Sequence, residues 1–317
     1  MDAIDRFLKL HVLNGGVLSK IRLTGGETLL NEESVGMVNY ITSKWPEAKI
    51  TLMTNGVNLL KFYDKLPKER LDSVHISLDG TKEIHLARRY SGITVDEGIY
   101  DGIIQGIKRL LSDETEVIIK TIYDKGSFRN YPEFMKFLSD EGISNFPHFK
   151  QVFSSVFDYG NPIDIDEAFN DKNDLVLMKD FFESHGLRHF STYSSLNILS
   201  RIINRPPNEP FMPRHQRCDT RPFLNPFFSA NGTIYFCEQI HESKGNIGTY
   251  YPNILIDQDT IKRLENRSIM SNTECAKCSY KFVCLGNCPL CVIAKDSEMS
   301  CGVFSDPEIL DNLEFPI

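Results

Sequence analysis

No cysteine occurs in the first 217 of the 317 residues; all eight fall between Cys218 and Cys301. The chain also lacks any run of 18 consecutive apolar residues, so it offers no membrane-spanning helix. Its opening, Met1-Asp2-Ala3-Ile4-Asp5, is without the positive charge of a secretory signal. A basic excess is missing too. Lysine and arginine number 35 against 43 acidic residues, a net charge of −8, which argues against a nucleic-acid partner. No solenoid-length repeat and no low-complexity tract is present, and the expectation is a cytoplasmic protein.

What is present is enough chain, at 41% hydrophobic residues, for one large barrel or a core domain with a smaller appendage. The first half alternates strand and helix signals. Residues 2–14 place apolar side chains at helical spacing until Gly15-Gly16 stops them. A short strand, Lys20-Ile21-Arg22-Leu23, runs into Gly25-Gly26. Residues 33–44 suit a helix, Lys49–Met53 a strand, and Asn55-Gly56 a turn. A second strand, Val74–Leu78, ends at Asp79-Gly80. Then come a helix over 96–111, a β-branched strand at Val117–Ile122, a helix over 131–141 and a strand near 148–153. Strands alternating with helices of this length imply parallel β/α units. Residues 158–175 are acidic and turn-rich, 176–204 read as helical, and Arg205–Pro213 holds four prolines. The domain boundary is expected there, giving units 1–205 and 206–317. A hairpin is expected around Asn231-Gly232.

The tail reads Cys275-x2-Cys278-x5-Cys284-x3-Cys288, then Cys291 and Cys301, with Cys218 and Gly232-x4-Cys237 upstream. Thiols this close in sequence converge readily on one metal centre. Disulfides suit a short secreted domain better than a long chain without a secretion signal. Eight thiols fit two sites of four, and spacing alone leaves zinc and iron–sulfur both open.

The cysteine order resembles the seven-cysteine signature of the SPASM domain, which carries auxiliary [4Fe–4S] clusters in radical SAM enzymes that mature peptides and proteins. The spacing of Cys218 to Cys237 is slightly longer than that pattern usually allows. The resemblance implies an outer cluster on Cys275, Cys278, Cys284 and Cys301. It implies an inner cluster on Cys218, Cys237 and Cys288, with Cys291 the spare thiol that would complete it or stay uncommitted. Leu23-Thr24-Gly25-Gly26-Glu27 resembles the GGE motif of the same superfamily, with Thr28 where proline is usual. There the glycines let a ligand approach the backbone, and the Glu27 carboxylate suits the ammonium of S-adenosylmethionine. Asn55, in Thr54-Asn55-Gly56, and Ser77 and Asp79, in Ser77-Leu78-Asp79-Gly80, end strands where the family places its ligand groups. Arg88 or Arg89 would meet the ligand carboxylate. Turn formation or solvated charge is the alternative for each of these residues taken singly. Glu238, directly after Cys237, is a candidate base, against the simpler reading of an exposed strand glutamate.

The fold so implied is α/β: a radical SAM-type (β/α)6 partial barrel lacking its first strand, followed by a small SPASM iron–sulfur domain. The family's Cys-x3-Cys-x2-Cys loop, which holds the cluster that cleaves S-adenosylmethionine, has no counterpart before Gly25. The expectation is therefore a chain that does not cleave S-adenosylmethionine by itself. It would be either a piece of a longer peptide-modifying oxidoreductase or a natural derivative that binds a peptide or a partner protein completing the barrel.

Overall fold

The computed structural model describes residues 18–92, 96, 98–155, 225–238 and 245–278 (except 267 and 271), with 4–6, 8, 9, 181, 184 and 281. Its centre is a five-stranded, wholly parallel sheet in the order β1(Lys20–Leu23), β2(Lys49–Thr54), β3(Leu71–Ser77), β4(Val117–Tyr123), β5(Phe149–Ser155). Consecutive strands are neighbours and all run one way, so every connection returns from the carboxyl edge to the amino edge. Helices α1(Glu32–Lys44), α2(Leu59–Phe62), α3(Lys82–Arg89), α4(Gly98–Ser112) and α5(Tyr131–Asp140) lie in those connections.

One face of the sheet is apolar. Leu23, Leu52, Val74, Ile76, Val117 and Ile119 are buried there against Val35, Val38 and Ile41 of α1, Ile103, Ile107 and Leu110 of α4, and Phe134 and Leu138 of α5. These helix positions recur every three or four residues, which is why a 3.6-residue turn can present them together. Strand β4 shows the matching period of two, buried and half-buried by turns. Burying a side chain of this size contributes about 1.5–3 kcal/mol, so this layer holds the sheet to its helices. Helix α1 starts where Asn31 accepts a hydrogen bond from the Ser34 N–H at 2.9 Å, and Glu32 and Glu33 complement its N-terminal dipole.

The opposite, concave face is polar. Register places Arg22 beside Thr51, Thr51 beside Ser73, Met53 beside His75, and His75 beside Ile118, with Lys120 two residues further along β4. No helix among the described residues packs its apolar stripe on this side.

A second, antiparallel sheet comprises β6(Phe227–Phe228), β7(Thr233–Tyr235), β8(Asn246–Thr249) and β9(Leu255–Ile256). It is followed by α6(Gln258–Glu265) and α7(Thr273–Lys277). Its small core joins Ile234, Tyr235, Phe236, Ile247 and Ile261. The hairpin anticipated at Asn231-Gly232 links β6 and β7. Gly232 sits at φ +88° there, and a Cβ would lie 2.6 Å from the Tyr251 carbonyl oxygen, so glycine is required.

The strands at 20–23, 49–53, 117–122 and 148–153, and the helices over 33–44, 96–111 and 131–141, match the sequence reading to within a few residues. Residues 4–6 and 8–9 of the expected first helix are helical. Helix α3 is the main addition: its one buried residue is His85, so no apolar stripe announced it. The acidic, helical and proline-rich stretches expected over 158–213, and with them the domain boundary, lie outside the described residues apart from Phe181 and Ser184, which are helical. No described helix is long and apolar enough to cross a membrane.

Candidate functional site

The residues singled out before β5 collect at one place, the carboxyl edge of the parallel sheet. Gly25 and Gly26 follow β1, Asn55 follows β2, Ser77 and Asp79 end β3, and Arg88 and Arg89 close the helix that follows. Loops at this edge vary freely over a rigid sheet, and ligands bind there in parallel α/β folds.

Gly25 and Gly26 differ in why they are glycine. Gly25 has φ +154°, which a side chain resists. Gly26 has no such strain, and a Cβ on either residue would meet nothing within 4 Å. The fold itself therefore does not demand glycine at 26; open space beside the backbone does not hinder an approaching ligand.

Glu27 ties two loops together. Its Oε1 accepts from the Thr54 hydroxyl at 2.5 Å and the Leu29 N–H at 2.7 Å, and its Oε2 accepts from the Asn55 N–H at 2.7 Å. A ligand ammonium would have to share this carboxylate with three protein donors. Asn55 contributes that N–H, while its side-chain oxygen accepts from the Val57 N–H at 2.9 Å.

Asp79 departs from the reading that it faces a ligand. Its side chain is only 4% exposed and accepts from Arg89 Nε at 2.7 Å, Arg89 Nη2 at 3.0 Å and the Ile122 N–H at 3.1 Å. Arg88 pairs with Asp124 and reaches Ser127 Oγ at 3.4 Å, with Asp79 Oδ2 3.8 Å from its Nε. Two arginines thus face two buried carboxylates and the cluster is neutral. Neither arginine is an unpaired cation awaiting a ligand carboxylate, although each keeps donors of its five-donor fork uncommitted to these acids. Ser77 is half-buried at the end of β3.

Sequence reasoning missed Asp124, which follows β4 as Asp79 follows β3. Its strand-end position was the available signal. His85 carried no role in the sequence reading. It is 1% exposed, and its Nδ1 accepts the Asp79 N–H at 3.2 Å. Burial lowers its pKa to about 4, and burial with Arg22, Lys20 and Lys120 nearby does the same for His75. Between about pH 6.5 and 4 the unfolded chain therefore binds more protons than the folded one. Stability should fall as pH drops through that window. Urea titrations at pH 7 and pH 4.5 measure this, and His85→Gln should flatten the dependence.

On the second sheet, Cys237 is half-buried just after β7. Glu238 beside it lies 3.0 and 3.1 Å, through its two oxygens, from Arg22 Nη1 on the concave face of the parallel sheet. It is 26% exposed, so the simple exposed glutamate is replaced by an ion pair between the two sheets. Cys275 lies in α7 and Cys278 ends it, one helical turn away, with the Cys278 N–H donating to the Cys275 carbonyl at 3.1 Å. Cys218, Cys284, Cys288, Cys291 and Cys301 lie outside the described residues. Among the described residues, no three His, Cys, Asp or Glu side chains form a group that could hold a metal ion.

An open parallel α/β sheet with glycines, carboxylates and arginines at its carboxyl edge is a partial-barrel architecture. Residues 1–138 match the model of the radical SAM superfamily. Among curated relatives is the cysteine-type anaerobic sulfatase-maturating enzyme of Clostridium novyi (strain NT). It is 25% identical over 250 residues, which cover 75% of this chain and 63% of that protein. The GTP 3',8-cyclase of Clostridium perfringens (strain SM101 / Type A) is 37% identical over 123 residues, 38% of this chain and 36% of the cyclase. The chain thus spans less than two thirds of these relatives. Of solved structures, anSMEcpe with bound AdoMet has a TM-score of 0.64 at 19% identity, covering 95% of this chain and 83% of that one. Streptococcus suis SuiB bound to precursor peptide SuiA has a TM-score of 0.61 at 18% identity, covering 94% and 67%. At these identities the likeness is one of fold.

Proposed function

We propose that this chain is the S-adenosylmethionine-binding and auxiliary-cluster part of a peptide- or protein-maturing oxidoreductase. The observation that carries this reading is the Arg22–Glu238 pair: the strand end bearing Cys237 lies against the concave face of the radical SAM sheet. A cysteine-bearing module in that position stands where a substrate held in the barrel mouth would meet it. The sulfatase-maturating relative and the peptide-bound SuiB supply the analogy for a peptide substrate.

The residues fit the cofactors unequally. Gly25 and Gly26 leave their backbone open to an approaching ligand, and Asn55, Ser77 and the outer donors of Arg88 and Arg89 are the residues that would hold S-adenosylmethionine there. Asp79 and Glu27 serve mainly to position these loops. All eight cysteines are soft thiolate donors, and two [4Fe–4S] clusters on Cys218, Cys237, Cys275, Cys278, Cys284, Cys288, Cys291 and Cys301 suit that donor set. Such clusters supply electron acceptance or a binding point for substrate. No thiol stands before Cys218, so the sheet residues do not fit a cluster at the barrel mouth and no step is assigned to one. Glu238 is the group placed to take a proton from a substrate on the concave face, with Arg22 orienting its carboxylate.

Anaerobically purified and reconstituted protein is expected to hold about eight irons and eight sulfides per chain. Stoichiometric zinc would overturn the cluster assignment. With S-adenosylmethionine and dithionite, this polypeptide alone should release no 5′-deoxyadenosine above the protein-free background.

A second reading, a cluster-bearing scaffold presenting a peptide to another enzyme, shares the same surface. It is favoured by the occupied carboxylates of Glu27 and Asp79. Isothermal titration with S-adenosylmethionine separates the two: the scaffold requires no binding.

A further inference from the structure

The concave face of the parallel sheet concentrates positive charge in a chain that is acidic as a whole. Through the strand register, Lys20 and Arg22 of β1, His75 of β3, Lys120 of β4 and Lys150 of β5 share this face. Glu116 pairs with Lys150 and Glu238 with Arg22. Lys20 and Lys120 make no ion pair among the described residues. The face therefore carries a cationic excess, against a net charge of −8 overall.

We propose that this face is an anion cradle in which Arg22, His75 and Lys120 receive the carboxylates of an acidic peptide segment. This rests on the peptide-maturing reading and names the substrate class for it. Arg22 offers its fork even while paired, because both contacts from Glu238 fall on Nη1, leaving Nε and Nη2 for an incoming carboxylate. Lys120 is half-buried, and a partly desolvated ammonium without a carboxylate gains more from an anion than an exposed one does. His75 lies on β3 between them, with Arg22, Lys20 and Lys120 near enough to lower its pKa and Glu116 opposing them. Held neutral, it gives a hydrogen bond without adding charge.

The spacing sets the pattern of the peptide. From β1 to β4 is three strand separations, about 14 Å. The register sets Lys120 four residues further along the strand direction than Arg22, about 13 Å, which puts the two about 19 Å apart. That is the reach of about six extended residues. Two acidic side chains five or six residues apart would therefore engage Arg22 and Lys120 at once.

The test uses the full chain and a fluorescein-labelled nonapeptide with two glutamates five residues apart, beside the same peptide carrying glutamines. Fluorescence anisotropy at low salt is expected to show at least tenfold tighter binding of the glutamate peptide. Lys120→Gln and Arg22→Gln should each weaken it about three- to fivefold. Lys136→Gln, on the outer surface of α5, should leave it unchanged, and circular dichroism checks that each variant is folded. Equal binding of both peptides, or an unaltered affinity in Lys120→Gln, overturns the cradle. Stronger displacement by GTP than by unlabelled glutamate peptide overturns it in favour of a nucleotide site. Binding is read without S-adenosylmethionine or reductant. A chain that binds the glutamate peptide yet retains no S-adenosylmethionine would thus refute the maturase reading and uphold the cradle.

Discussion

Gly26→Val is expected to leave the unfolding transition in place and to weaken S-adenosylmethionine binding by at least tenfold. The reasoning separates folding from ligand contact. Gly26 is not held in the left-handed region, and a Cβ there has no protein atom within 4 Å. Valine therefore meets no protein atom at its Cβ, and surface substitutions of this kind stay within about 0.5 kcal/mol. What the side chain removes is the open approach to the backbone at the carboxyl edge of β1. Gly25→Val is the contrast: with φ +154° the backbone itself would be strained, so stability should fall as well as binding. Isothermal titration beside thermal unfolding reads both quantities. Unchanged affinity in a folded Gly26→Val protein would remove the glycine pair from the ligand site.

Asp79→Ala is expected to be the most destabilising single change at this edge, at about 2–4 kcal/mol. The carboxylate is 4% exposed and holds Arg89 through two contacts while accepting the Ile122 N–H. Deleting it strands a partly buried guanidinium and an amide at the junction of β3, α3 and β4. The discount from a fully buried pair follows from Arg89, whose side chain is 31% exposed. Asp79→Asn should cost less, because its oxygen still accepts from Ile122. Urea unfolding followed by circular dichroism distinguishes these values. A loss below about 0.5 kcal/mol in Asp79→Ala would show that water replaces the carboxylate.

Much of the fold was readable because its signals are local. The β-branched Val117–Tyr123 and the periodic apolar faces of α1, α4 and α5 each declare their own conformation. Helix α3 escaped because it buries only His85, and its place is set by Asp79 and Arg89 rather than by a stripe. The glycine and strand-end residues were legible as a set, since turn chemistry and order along the chain mark them. Their individual roles were not. Arg88 and Arg89 read as spare cations until folding brought Asp124 and Asp79 to them, from 36 and 10 residues away in sequence.

By itself, the sequence determined the parallel β/α order, the glycine-rich strand end and the concentration of every thiol beyond residue 217. Periodicity, turn propensity and residue counts depend on near neighbours in the chain. Tertiary structure alone decided that Glu27 is tied to Thr54 and Asn55, that the arginines are neutralised, and that Glu238 reaches Arg22 across 216 residues. Those outcomes depend on which side chains share a face or an edge once strands align. Strand register carries that information, and it exists only after long-range pairing has formed.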